Sequence, residues 1–397
     1  MRYPVVFALL FAPFGISSGY VTVTLAFQLA HKGMATAAVA TLIALSVWPQ
    51  TWKMLWAPIV DTIGNPKLWY GIGALIVGAS ILAMSLLPAT PRELPVLGVL
   101  IVISSIASTL VSMSAEIFMT HGTPPELRGR ASGWSQAGNL GGGGIGGGLG
   151  LALVEHVAQP WVSGAALAAL CLVCWAGVMF VPRAKRREAD LNYVVRIKTV
   201  LIDVWQVAKS RLGYLALIIM VLPIASGGVS WSAISGEWGA GADVVALVNG
   251  VATGLVAMVG ALIGGYVCDR LDPKKAYCLF GLLAGVIAAT MAFAPRSPTV
   301  FIVFVLAYQM AVGAGYAGYA AVVLEAIGKR SAATNFNLMA ALSNIPIAVM
   351  TTFDGWTHDR FGTRSMLFGE LALPAATIAV FALLVALTRR KRVAVLG

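Results

Sequence analysis

Two ionisable residues stand inside long apolar runs, where charge is costly. Lys53 lies within the stretch 34–60 and Glu116 within 94–120. Lys53 comes eight residues before Asp61, about 12 Å deeper along a helix that rises about 1.5 Å per residue. An ammonium facing lipid costs roughly 2.5–3.5 kcal/mol, so Lys53 is expected to point into protein or a wet cavity. There it can bind an anion or serve as a coupling charge. The competing reading is a buried ion pair, or a stem that snorkels its charge to the surface. Glu116 stands eight residues before Pro124, a turn or two inside the water boundary. A carboxyl held out of bulk water can take up and release a proton near neutral pH, as proton coupling requires. Its competing reading is a static partner for Lys53 or for an arginine on a neighbouring helix.

The elements that hold these residues must be apolar helices. The chain is 59% hydrophobic and 11% charged, against about 25% charged in a soluble domain, so lipid must solvate much of it. Twelve stretches reach the roughly 20 residues that a helix needs to cross the hydrocarbon. They are residues 4–30, 34–60, 67–87, 94–120, 128–154, 160–182, 213–236, 243–268, 274–294, 298–326, 331–354 and 364–388. Strands of a membrane barrel run about 10 residues and alternate in polarity; these runs are longer and rich in Leu, Ala, Val and Gly. The expected fold is an all-α membrane protein with twelve transmembrane helices in two six-helix halves.

Lys and Arg gather on alternate connections. Arg2, Lys67, Arg128, Arg130, the 183–211 segment, Arg270, Lys274, Lys275, Lys329, Arg330 and the tail 389–392 fall on one side. The other side holds Lys32, Arg92, Arg296, Arg360 and Arg364. Positive charge stays inside, so the chain is expected to be multi-pass in a bacterial inner membrane with both termini cytoplasmic. The net charge of +11 follows from that bias and from attraction to anionic inner-leaflet lipid. It needs no nucleic acid, for which no soluble basic module is present. Cys171-x-x-Cys174 has metal-ligand spacing, but it lies in an apolar helix with no further ligand near it, so no metal and no cofactor is expected. The first apolar run is long, and no cleavable signal peptide is expected.

Two segments echo each other about 208 residues apart: Ile59-Val60-Asp61-Thr62-Ile63-Gly64-Asn65-Pro66-Lys67 and Val267-Cys268-Asp269-Arg270-Leu271-Asp272-Pro273-Lys274-Lys275. Each follows an apolar helix, places an aspartate at the water boundary, turns through Pro-Lys and re-enters an apolar run. The echo divides the chain into a six-helix bundle over 1–182, a linker over 183–212, a second bundle over 213–388 and a basic tail over 389–397. The linker repeats Leu191, Val194, Val195, Ile197, Leu201 and Val204 at helical spacing among charges, which suits a helix lying on the inner membrane surface. Residues 139–150 are glycine-rich. No strand precedes them and no Lys-Ser/Thr follows, so they read as a close helix approach and not a nucleotide loop. Helix eight answers with Gly250, Gly254, Gly260, Gly264 and Gly265, and facing glycine surfaces would let helices five and eight slide or pivot. Halves that rock against each other are how secondary transporters alternate access.

Trp52-Lys53-Met54-Leu55-Trp56-Ala57-Pro58-Ile59-Val60-Asp61 resembles the helix-two signature of the AmpG-like group of the major facilitator superfamily. That group includes muropeptide permeases, acetyl-coenzyme A transporters and siderophore permeases. Thr123-Pro124-Pro125-Glu126-Leu127-Arg128-Gly129, the run from Ala333 to Asn344, and Asp354-Gly355-Trp356 before the last helix extend the resemblance. The group's usual acidic residue on helix four is a glutamate here, Glu116. The superfamily pattern implies that helices one, four, seven and ten line a cavity, which turns Glu116 toward substrate. It also implies that helix twelve is peripheral, so Glu370 is expected to bond backbone near the outer surface.

Polar and aromatic residues within the apolar helices are further cavity candidates. They are Tyr20 on helix one, Gln50 on two, Gln136 and Asn139 on five and Trp231 on seven. Helix ten adds Tyr308, Gln309 and Tyr316, and helix eleven adds Asn335 and Asn344. Buried amides and rings suit sugars, peptides or aromatic chelators, and any one of them can equally be a helix–helix hydrogen bond. Asp61 and Asp269 are expected to cap neighbouring helix N-termini in one state, with Arg128, Arg130 and Arg330 as partners across the inner face. The function expected is proton-coupled import of a polar or anionic organic solute by alternating access, with the solute, the proton and the bilayer as partners and a monomer as the assembly. Efflux of small organic solutes is the alternative direction, and a non-transporting receptor or scaffold is the alternative class. An intramembrane enzyme is not expected, since His31, His121, His156 and His358 fall at helix ends and do not share ligand spacing.

Overall fold

The computed structural model describes residues 5–56, 60, 65–122, 128–159, 161–181, 198, 202, 205, 209, 211–268, 270–327 and 341–396. These residues form helices and connecting turns, with no strand among them. The first six helices are α1 (Val6–His31), α2 (Thr36–Trp52), α3 (Pro66–Leu86), α4 (Leu94–Gly122), α5 (128–156) and α6 (Trp161–Phe180). They are followed by α7 (Arg211–Val221), α8 (Ala242–Cys268), α9 (Pro273–Met291) and α10 (Pro298–Ile327). The last two, α11 (344–361) and α12 (363–396), meet at Gly362, whose φ of 80° breaks the helix. Among the described residues, eight stretches are long and apolar enough to cross a membrane, and the last of these holds both α11 and α12. The 17 residues of α2, the glycines of α5 and the interruption after α7 keep those three segments outside that class.

The sequence echo is a helix-start device used twice. At α3 the Asn65 side chain accepts a hydrogen bond from the Lys67 N–H at 2.9 Å, with Pro66 in the first turn. At α9 the Asp272 side chain accepts from the Lys274 and Lys275 N–H groups at 3.0 and 3.2 Å, with Pro273 in the same place. The side chain satisfies amides that have no partner within the helix, and proline loses nothing by lacking one there. Lys67 then reaches the end of α6, where its Nζ donates to the carbonyls of Val178 at 3.0 Å and Val181 at 2.6 Å. A cation at a helix C-terminus satisfies oxygens that the helix leaves over.

Two of the expected helix boundaries need correction. The seventh helix, expected over 213–236, is helical only to Val221; residues 222–230 are irregular, and a short helical turn follows at Trp231–Trp238. Pro223 and Gly227, with φ of 51°, account for the break, because proline cannot donate and a positive φ suits glycine. The eleventh helix, expected to end at 354, continues to 361. Asp354 is therefore inside a helix and not at its end. Of the linker, Lys198, Ile202, Trp205 and Lys209 are described; all four are helical and exposed, and the rest of that expectation lies outside the described residues.

The chain forms two compact units. The first comprises residues 1–197 together with 230–255 and 296–305. Its core packs Ile16, Leu29, Ile81, Leu97 and Ile101. The second comprises 198–229, 256–295 and 306–397. Its core packs Ile219, Met220, Tyr277, Val322 and Val323. Large apolar side chains such as Leu262, at 71% exposure, and Phe293, at 68%, face outward, as lipid-solvated helices require.

Within the first unit the glycine surfaces of α5 and α8 do meet. A side chain at Gly250 would sit 2.7 Å from the Gly148 Cα, and one at Gly144 would sit 3.1 Å from the Gly250 carbonyl. Both helices widen to π turns here, over Ile145–Leu149 and Ala246–Ala252. Gly260 and Gly264 belong instead to the second unit, against Met310 and Ala314 of α10.

Candidate functional site

The polar seam of the first unit is built from α2 and α4. Three α2-side residues fall one helical turn apart: Gln50, Lys53 and Trp56. Facing them, α4 presents Ser105, Ser108, Thr109, Ser112 and Glu116 at three- and four-residue steps, which places them on one helix face. Gln50 Nε2 donates to Ser108 Oγ at 3.1 Å and approaches Ser105 Oγ at 3.4 Å. Ser105 in turn donates to the Ser46 carbonyl at 2.6 Å, and Trp56 Nε1 donates to Thr109 Oγ1 at 2.8 Å. Below Gln50, Lys53 Nζ and Glu116 Oε1 are 3.9 Å apart, both partly accessible at 20% and 27%. That separation is an ion pair without a direct hydrogen bond, so an incoming anion has room to compete for the ammonium.

The local sequence explains this arrangement. At Lys53 the α-helix tightens into a 3-10 turn over Lys53–Leu55, and Pro49 lies one turn earlier inside α2. On α4, serine and threonine side chains return their own protons to carbonyls one turn back, as Ser108 does to Ser105 and Thr109 to Ile106. Each hydroxyl oxygen then remains an acceptor toward α2. The serine–threonine ladder is the part of the site that single-residue reading passed over. Its signature is the helical spacing of hydroxyls leading down to Glu116.

The remaining expected residues are spread more widely. Tyr20 is 1% exposed and packs in the core of the first unit. Gln136 is exposed and Asn139 half-buried on α5. Trp231 is buried, its ring edge-on to Phe301 at 6.4 Å. Gln309 is half-buried, and Tyr316 is 53% exposed. Asn344 opens α11, its amide donating to the Ala341 carbonyl at 3.1 Å. Asp61, Asp269, Arg330 and Asn335 lie outside the described residues, and for Arg128 and Arg130 only the helical backbone is described. Among the described residues no group of three His, Cys, Asp or Glu side chains is placed to hold a metal ion.

The second unit holds a polar cluster of its own. Tyr308 donates its hydroxyl proton to Glu370 Oε2 at 2.6 Å, and the Gly228 N–H donates to Glu370 Oε1 at 2.9 Å. Glu370 does bond backbone, as expected of it, but at 2% exposure it is deeply buried. Asp354 joins it at 1% exposure. Separately, an open groove of about 570 Å³ lies between α2 and α4, lined by Leu42, Leu45, Val99 and Val102 among others. Apart from Thr41 its lining is apolar, which suits an acyl chain better than a polar solute.

A family model, the Major Facilitator Superfamily, matches residues 5–334. No curated protein sequence matches the chain. Among solved structures, a bacterial homologue of the human lysosomal transporter Spinster, inward-facing and unoccupied, shares the fold at a TM-score of 0.72 and 15% identity, over 96% of this chain and 97% of that one. A mutant of the nucleoside transporter NupG matches at 0.72 and 10% identity, over 95% and 98%. A D-xylose–proton symporter matches at 0.68 and 14%, over 94% and 95%. The apolar helices, the shared fold and the family match together make this chain a member of the Major Facilitator Superfamily, a multi-pass membrane transporter.

Proposed function

We propose that the chain is a secondary transporter that imports a polar, anionic organic solute across the bacterial inner membrane, driven by protons. The observation that carries this reading is the Lys53–Glu116 pair at 3.9 Å, partly accessible and set in a seam of hydroxyls and an amide. The ammonium attracts the solute's negative charge, and Glu116, once displaced from Lys53, takes up the proton that travels with it. The resting pair is net neutral, an anion bound on its own would leave the site with one negative charge, and protonation of Glu116 restores neutrality, so that the loaded site crosses between states at lower cost than a charged one. Gln50 and the hydroxyls of α4 supply the hydrogen bonds that a polar solute loses on leaving water.

The helix-two segment around Lys53 supports placement in the AmpG-like group, and with it muropeptides, siderophores or coenzyme A thioesters as solute classes. The D-xylose–proton symporter that shares the fold is a precedent for proton coupling on this scaffold. The two six-helix halves are taken as the rocking bodies, with both termini cytoplasmic and the monomer as the working unit. The test is a thermal-shift screen of the purified protein against those solute classes and short peptides, followed by uptake of any stabilising solute into proteoliposomes. Stabilisation by anionic members that disappears in Lys53→Ala is expected; stabilisation by neutral compounds alone, indifferent to Lys53, would overturn the anionic reading.

A further inference from the structure

The second unit buries two carboxyl groups against each other. Asp354 of α11 and Glu370 of α12 are 1% and 2% exposed. Both side chains converge on Gly228, Glu370 Oε1 on its N–H and Asp354 Oδ2 beside its Cα. Glu370 is held by two donors: the Tyr308 hydroxyl of α10 on Oε2 and the Gly228 N–H of the irregular 222–230 segment on Oε1. Asp354 is not so provided for. Among the described residues neither of its oxygens meets a donor, and Oδ2 lies against Gly228, 2.6 Å from where a side chain there would begin. The fourth neighbour, α9, approaches with Gly285 against the Glu370 backbone, and its lysines, Lys274 and Lys275, stand ten or more residues earlier in the helix. Among the described residues neither carboxyl is paired with a Lys, Arg or His.

An ionised carboxylate only accepts hydrogen bonds. Two carboxyls brought together at one residue can therefore bond to each other only when one of them carries a proton. Two bare negative charges so placed, away from water and with no described cation beside them, repel strongly. Paired carboxyls in such a place hold one proton between them.

We propose that Asp354 and Glu370 form a proton-binding site that keeps one shared proton in the conformation described here. Uptake forms one O–H bond and lowers the pair from two negative charges to one; release returns the proton to water. The Gly228 N–H links the occupancy of the site to the break after α7, because that donor exists only while residues 222–230 are irregular at this place. A rearrangement that withdraws Gly228 or Tyr308 leaves Glu370 with one donor fewer and changes its hold on the proton. The site is separate from the Lys53–Glu116 pair. Its test needs no solute, so its failure leaves the transport reading standing.

The test is infrared spectroscopy of the full-length protein in lipid nanodiscs. Wild type at neutral pH is expected to show a carboxylic-acid C=O band that shifts in D₂O and is lost on raising the pH. The double variant Asp354→Asn/Glu370→Gln should lose that band. Tyr308→Phe keeps both carboxyls and removes one donor, so it should move both the band and the pH at which it disappears. An absent band in wild type, a band unchanged in the double variant, or one unmoved in Tyr308→Phe would overturn the proposal. So would a thermal stability that rises with NaCl but not with choline chloride at equal ionic strength, which would assign the pair to sodium. If the double variant does not fold, Tyr308→Phe alone decides.

Discussion

Lys53 and Glu116 are each costly in an apolar run, and together they are less so, because each supplies the other's counter-charge at 3.9 Å. On the proposed reading the pair is a competition site: what displaces Glu116 from the ammonium must itself be negative. Lys53→Ala should weaken binding of an anionic solute by about 1.5–3 kcal/mol, the range for hydrogen bonds to charged groups, while a neutral analogue loses less. Calorimetric titration of both solutes checks this, and equal losses would make the lysine a structural residue. Glu116→Gln keeps the shape and removes the proposed proton carrier. Gradient-driven uptake should fall to the level of passive equilibration, while solute counterflow, which needs no net proton movement, continues. Normal concentrative uptake by that variant would remove Glu116 from the coupling path. Reading the residues singly identified both, and left open whether they were partners; only their distance answered that.

At the scale of the helix, the chain relies on caps and on glycine contacts. Asp272 receives two backbone amides at the start of α9, a cap that contributes about 0.5–2 kcal/mol to stability. Gly250 packs onto Gly148 so closely that a leucine side chain has no space without moving a backbone. Gly250→Leu should therefore separate α5 from α8 locally and suppress transport more than it lowers the melting temperature in detergent. Comparable transport by that variant would reduce the glycine contact to plain packing. The break after α7 belongs to this scale too. Irregular backbone is tolerated at membrane depth only where protein satisfies it, and at Gly228 that partner is Glu370.

For the molecule as a whole, transport requires a direction and an energy source. Proteoliposomes with an acid exterior should accumulate the solute, and an ionophore such as CCCP should abolish accumulation; unchanged accumulation would exclude protons as the driver. Orientation is checked by cysteine labelling in a background without the native cysteines. Arg92→Cys and Arg296→Cys, in connections on the sparsely charged side, should react with an impermeant reagent from outside in intact cells. Lys391→Cys, in the basic tail, should react only after lysis. The reverse pattern would invert the topology.

The class of this protein is legible in the order of its residues. Its 59% hydrophobic content, the lengths of the apolar runs and the repeated Pro-Lys helix starts all follow from solvation and local capping, which need no knowledge of neighbours. Lys53 and Glu116 were visible for the same reason, since an ion in an apolar run stands out wherever its partner lies. Who faces whom came from packing. The serine–threonine ladder of α4 acquired its role only opposite Gln50 and Trp56. Tyr20 went to the core because its ring packs among Ile81 and its neighbours. The helix boundary that sequence placed at Asp354 concealed a buried carboxyl, and its meeting with Glu370 depends on α11 continuing to 361 before Gly362 turns the chain back. Hydropathy is a sum over one segment, whereas a hydrogen bond or a like-charge contact is a relation between two, and only the fold brings the second one near.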